Sequence, residues 1–133
     1  MITAVDSNIL LDIFTNSPDF ADRSARALRE QLANGSVVAS GVVWAEVATF
    51  FARPENFIAM MNSIGVDFLP DSQEAAVEAA RAWKLYKSAG GNRQRLLADF
   101  LIAAHALTQC NCLLTRDLGF YRSYFKKLKI IAP

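Results

Sequence analysis

The chain has 133 residues, 53% of them hydrophobic and 20% charged. That length suits one domain with a real core rather than two, and the composition excludes a disordered chain. The net charge of +1 hides an asymmetry: 4 basic and 11 acidic side chains up to residue 80, then 10 basic and only 2 acidic ones from Arg81 onward.

In chain order, Ile2–Asp6 is a short apolar run with β-branched residues and predicts a first strand. Ser7 and Asn8 follow and suit the capping of a short helix over Ile9–Phe14. Ser17-Pro18 supplies an N-cap and a first-turn proline and Asn34-Gly35 a stop, which predicts a helix over Asp19–Ala33. Val37–Ala39 predicts a second strand. A helix then runs from Ser40 or Gly41 through Phe51, with Trp44, Val47 and Phe51 at spacing i, i+3, i+7. Pro54 begins another helix that ends near Ile64-Gly65.

Val66–Leu69 predicts a third strand. Pro70-Asp71 opens a helix reaching about Lys87, with Asp71 and Glu74 at the spacing of a capping box, although the box proper uses Ser or Thr. A glycine-bearing loop, Ser88–Asn92, precedes a helix over Gln94–Thr108. Cys112–Thr115 predicts a fourth strand, Gly119–Tyr124 a short helix and Lys129–Ile131 a fifth strand. Strands alternating with helices imply a parallel sheet covered on both faces, hence a single α/β domain over residues 1–133.

The N-terminal segment carries two aspartates and no basic region, so it does not read as a signal peptide. The longest uncharged stretch, Phe100–Thr115, is shorter than the roughly 18 apolar residues of a membrane span. Cys110 and Cys112 are the only cysteines and read as reduced structural thiols, without a second pair to complete a zinc site. These features fit a cytoplasmic protein with no membrane association.

Four acids sit in or directly after apolar runs: Asp6 in ITAVD, Glu46 in VVWAEV, Asp99 in LLADFLIAAHA and Asp117 in CLLTRD. An unpaired carboxylate in apolar surroundings is costly unless it is paired, hydrogen-bonded, neutralised or bound to a metal. Topology gives the four a common destination. Ligands of open parallel sheets bind beyond the carboxyl ends of the strands, where Asp6 is the last residue of strand one and Asp117 lies two residues past the end of strand four. Glu46 and Asp99 each fall near the second turn of a helix, and helices that follow parallel strands begin at that edge.

Carboxylates without imidazole or thiolate form a hard, all-oxygen site suited to Mg²⁺ or Mn²⁺. Such a metal lowers the pKa of a bound water and neutralises charge on a phosphodiester. A basic half whose only carboxylates are Asp99 and Asp117 suits a polyanionic substrate passing that metal, or is an ordinary solvated surface. Each acid has a plain reading too: Asp6 as an Asx-type cap, Glu46 as a surface residue, Asp117 as a helix cap. Asp99, on a helix expected to be buried, is the hardest to explain without a cation.

The segments VDSNILLD, SGVVWAEV, LLADFLIAAHAL and LLTRDLGFY, in this order and spanning essentially the whole chain, resemble the PIN-domain signature, specifically that of VapC-like toxin ribonucleases. The resemblance implies an α/β/α sandwich with a parallel sheet of about five strands in the order 3-2-1-4-5. It implies an endoribonuclease dependent on one or two Mg²⁺ or Mn²⁺ ions, usually dimeric and inhibited by a cognate antitoxin of a type II toxin–antitoxin system. Asp6, Glu46, Asp99 and Asp117 would be its acidic quartet, and Thr115 the hydroxyl of its T-x-D segment.

Around the quartet, Asn8 is placed to orient Asp6 or a metal water, and Thr115 to bond a carboxylate or water. Arg93, Arg95 and Arg116 are candidates for gripping RNA phosphates; a solvated helix start and an Arg95–Asp99 pair are the alternatives for the first two. His105 is six residues past Asp99, about 240° around the helix, and reads as structural. Trp44, Phe50, Phe51, Phe57, Met60 and Met61 exceed what one small face needs, and the surplus suits a dimer or an antitoxin helix. The alternative function is a catalytically idle PIN-like module that binds RNA or a protein partner. A receiver domain fits poorly, because strand one ends in a single aspartate. DNA-cleaving flap-nuclease cousins carry helical clamps absent here.

Overall fold

The computed structural model describes residues 1–91 and 96–133. Its five strands are β1 (Ile2–Val5), β2 (Ser36–Ala39), β3 (Val66–Phe68), β4 (Cys112–Leu114) and β5 (Ile130–Ile131). They form one sheet in the order β3-β2-β1-β4-β5 with every pairing parallel, as the resemblance implied. Thr3 of the central strand lies opposite Val37 on one side and Cys112 on the other. Every residue of β4, and all but the first of β1 and β2, is buried. Both faces are therefore covered, which is why these strands are continuous apolar runs rather than alternating ones.

The helices are α1 (Ser7–Phe14), α2 (Ala21–Asn34), α3 (Gly41–Ala48), α4 (Pro54–Ile64), α5 (Gln73–Ser88), α6 (Leu97–Gln109) and α7 (Leu118–Tyr124). They bury Ile9 and Leu10 of α1, Val43 and Val47 of α3, Phe57 and Met61 of α4, and Phe100 and Ala103 of α6. Each large apolar side chain contributes about 1.5–3 kcal/mol on burial. Gly65 ends α4 in the left-handed region at φ 80°, a conformation that costs a Cβ-bearing residue and glycine little.

Several helix boundaries differ from the sequence expectation for local reasons. The cap of α1 is Asp6 rather than Ser7 or Asn8, so the helix begins two residues early. At α2 the serine and proline form a turn, Ala21 N–H donating to the Ser17 carbonyl at 3.0 Å, and the helix starts only at Ala21. Helix α3 stops at Ala48 rather than Phe51, since the Phe50 and Phe51 amides close short turns onto Val47 and Ala48. Asp71 does not cap α5: Ser72 does, its hydroxyl accepting from Ala75 N–H at 3.0 Å. The expected start of α6 at Gln94 lies outside the described residues.

His105 is buried and donates from Nε2 to the Leu69 carbonyl at 2.9 Å, tying α6 to the end of β3. Burial lowers its pKa, so it stays neutral and structural. Both cysteines are free, and burial, with Cys112 adding, pushes the Cys110 thiol up to about 11. Of the aromatic surplus, Phe57 and Met61 are core and Trp44 and Phe51 are partly covered, while Phe50 and Met60 stay exposed, as do Ile58 and Phe68. No described helix is long and apolar enough to cross a membrane.

Candidate active site

The site forms where β1 and β4 end side by side. Asp6 follows β1 in extended backbone and caps α1, its Oδ1 accepting from Ser7 N–H at 2.7 Å. Its other oxygen, Oδ2, accepts from the Thr115 hydroxyl at 2.8 Å, the Tyr121 hydroxyl at 3.0 Å and Asn8 Nδ2 at 3.4 Å. Asp6 is only 6% exposed. Burial pushes its carboxyl up to about 6 against the hydrogen bonds from Thr115, Ser7 N–H and Tyr121, which favour the charged form, and the negative charge of Glu46 raises it further. It is a carboxylate held ready for a counter-charge.

Thr115 is the hinge between the two strand ends. Besides donating to Asp6, its hydroxyl accepts from Asn8 Nδ2 at 3.3 Å and from the Asp117 amide at 3.0 Å. Asn8 in turn accepts the Arg116 amide at 3.2 Å. The segment 115–117 is thereby fastened to the start of α1. Asn8 and Thr115, the expected orienting residues, both hydrogen-bond Asp6.

The remaining acids are placed as follows. Glu46, exposed on α3, accepts the Ser7 hydroxyl at 2.7 Å, so one serine links it to Asp6 through its amide and hydroxyl. Asp117 occupies the N-cap position of α7 without a side-chain cap hydrogen bond. Asp99 lies in the first turn of α6 rather than the second, and its carboxylate accepts the Leu96 amide at 3.1 Å. It is only half-buried; the deeply buried acid is Asp6. Tyr121 reports the neighbourhood they share, since burial and then the charges of Asp6, Asp99 and Asp117 all raise its pKa.

The topology thus brings the quartet to one edge of the sheet. Among the described residues, though, no three His, Cys, Asp or Glu side chains form a ready-made ligand cluster. The donor set still fits a hard divalent cation. All four side chains offer carboxylate oxygens, and the buried Asp6 carboxylate has its charge disfavoured by burial and by Glu46, a penalty a cation would relieve. Such ions keep several waters, which lets carboxylates act beyond direct ligation distance.

Arg116 is engaged elsewhere. Its guanidinium makes a two-pronged bond to the buried Asp12, at 2.7 and 2.9 Å, and lies 4.0 Å from the Phe20 ring centroid. Ser24 completes the Asp12 site with a 2.7 Å hydroxyl donation. The expected phosphate role of Arg116 therefore meets an arginine whose charge is already matched. Arg93 and Arg95 lie outside the described residues.

Sequence reasoning missed Tyr121 and Asp12. Tyr121 reads as one aromatic among several in LGFYRSY, and its partner is 115 positions away. Asp12 had a signal, an acid inside the apolar run ILLDIF.

A family model described as PIN domain matches residues 3–126. No curated protein matches the sequence significantly. Among solved structures, the fold is similar to a chain of VapBC2 from Rickettsia felis bound to a promoter DNA fragment, with TM-score 0.78 and 17% identity over 100% of this chain and 99% of that one. A chain of VapBC-1 from nontypeable Haemophilus influenzae gives TM-score 0.75 and 21% identity, covering 99% and 98%. A chain of a toxin-antitoxin complex from Klebsiella pneumoniae gives 0.67 and 22%, covering 97% and 95%. At these identities the likeness is one of fold.

Proposed function

This chain belongs to the PIN-domain family, and we propose that it is a divalent-metal-dependent endoribonuclease, the toxin of a type II toxin–antitoxin pair. The observation that carries the reading is the buried Asp6 carboxylate, gripped by Thr115, Tyr121 and Asn8 and facing the negative charge of Glu46. A purely structural aspartate in that position would gain nothing from a second carboxylate nearby. Asp6, Glu46, Asp99 and Asp117 would hold Mg²⁺ or Mn²⁺, one or two ions per site. Such an ion supplies charge neutralisation at the phosphodiester and a lowered pKa for its bound water.

The protein's own groups do the positioning. Oδ2 of Asp6 is saturated by three donors, so Oδ1, with one donor, is the oxygen left to face a ligand. Ser7 holds Glu46 in register with Asp6, and Thr115 fixes the backbone that presents Asp117. The solved complexes with a similar fold support a cognate antitoxin as partner. The exposed Phe50, Ile58, Met60 and Phe68 suit that antitoxin or a second copy in a homodimer. A cytoplasmic location belongs to the same reading.

The test is cleavage of fluorogenic single-stranded RNA with and without Mg²⁺ or Mn²⁺, beside Asp99→Asn. Metal-dependent cleavage that disappears in the variant is expected. Cleavage equal in both proteins refutes the quartet. The second reading, an idle module that binds RNA or protein, is favoured by the open arrangement of the carboxylates. Its signature is RNA binding without cleavage, indifferent to metal and to Asp99.

A further inference from the structure

A cavity of about 290 Å³ opens beside the candidate site, lined by Phe20, Arg23, Arg116, Leu118, Ala132 and Pro133. Arg116 and Leu118 flank Asp117 in the chain, and Ala132 follows β5, so the cavity lies at the carboxyl edge of the sheet. A second cavity of about 150 Å³ shares Arg23, Ala132 and Pro133 with the first and continues along α2 past Arg26 to Glu30. Together they form a groove that leads away from Asp117 along one face of α2.

The groove is furnished unevenly. Arg116 forms a fixed wall, because Asp12 matches its charge and Phe20 lies over its guanidinium. Arg23 and Arg26, one helical turn apart, are exposed, and among the described residues no ion pair engages either of them. Arg23 sits 5.0 Å from the Phe20 centroid, an exposed cation–π contact of roughly 0.5–1 kcal/mol that a stronger anionic partner can displace. Once an anion draws Arg23 off its ring, the half-buried Phe20 offers an aromatic surface, with Arg23 and Arg26 free of ion pairs among the described residues and Glu30 lining the far end. An aromatic surface and a cationic groove are the two elements by which proteins hold single-stranded nucleic acid without reading its sequence.

We propose that this groove is the track for single-stranded RNA entering or leaving the site, with a base stacked at Phe20 and successive phosphates on Arg23 and Arg26. The assignment rests on the nuclease reading for its substrate class, but its test does not depend on catalysis. It also places the main cationic contacts in the acidic N-terminal part of the chain, where the charge distribution gave no hint of them.

Binding of a short fluorescein-labelled single-stranded RNA is followed by anisotropy on the full chain carrying Asp99→Asn, in EDTA. Phe20→Leu keeps apolar bulk against Arg116 and removes the π surface; affinity is expected to fall about tenfold, the size of one lost base stack. Phe20→Trp is expected to restore it. Arg23→Ala with Arg26→Ala is expected to reduce the slope of log affinity against log salt by about 1.4, for two single-strand phosphates. Affinities within twofold of the parent with an unchanged slope overturn the track, as does an absence of RNA binding by the parent. Variants that lose a partner protein while binding RNA normally overturn it too, and make the groove a protein-docking surface. Failure of metal-dependent cleavage would remove the nuclease reading separately, since the track stands or falls on binding.

Discussion

Asp6 should make the metal-free protein less stable as pH rises. Burial pushes its folded pKa up to about 6, above the ordinary aspartate value of 3.8, so the folded state holds this proton more tightly than the unfolded chain does. Stability from this group is complete below pH 4 and is lost between about pH 4 and pH 6, the reverse of the usual salt-bridged carboxylate. At 1.36 kcal/mol per pH unit the interval corresponds to about 3 kcal/mol, with little solvent screening because the residue is buried. The assay is guanidinium denaturation in EDTA at pH 4 and pH 7, for wild type and Asp6→Asn. The variant keeps the side-chain volume and cannot titrate, so other groups cancel in the difference. That difference should shift by about 3 kcal/mol against wild type on going to pH 7. At pH 7, Mn²⁺ at 100 times its dissociation constant should return about 2.7 kcal/mol to wild type and none to the variant. A difference that is the same at both pH values would refute the argument that burial and Glu46 hold Asp6 against its charge.

Two further substitutions probe the supports of the site. Tyr121→Phe keeps the buried ring and removes one of three donors to Asp6 Oδ2, so calorimetric Mn²⁺ affinity should fall about tenfold while the melting temperature barely moves. Asp12→Asn leaves the Arg116 guanidinium without its counter-charge. Because the Arg116 side chain is 31% exposed, the cost should be about 2–3 kcal/mol by denaturation, below the 3–5 of a fully buried pair.

What the sequence disclosed follows from how far each signal reaches. The strands were legible because burial on both faces writes continuous apolar runs such as TAV and CLL. The four acids stood out because each interrupts or ends such a run. Helix starts were less secure, since Asp71 and Ser72 are equally good caps on paper and Ser72 takes the role by bonding the Ala75 amide. Asp99 was expected buried in the second turn of its helix, but its place in the first turn leaves it half-buried. The grip of Tyr121 on Asp6 was not legible, and Asp12, though marked by its place in the run ILLDIF, gave no sign that Arg116 was its partner. Each contact joins residues more than 100 positions apart, and neither aromatic nor charged neighbours announce such a partner.

The same separation has a consequence for the protein during its synthesis. Asn8 meets Thr115 and Asp6 meets Tyr121 across 107 and 115 positions, between the neighbouring strands β1 and β4. A nascent chain that has emerged only through α5 carries Asp6 and Glu46 but lacks Asp99, Asp117 and the hydroxyls that hold Asp6. The candidate site therefore cannot be assembled until α7 has been translated, so the order of the strands works as a delay.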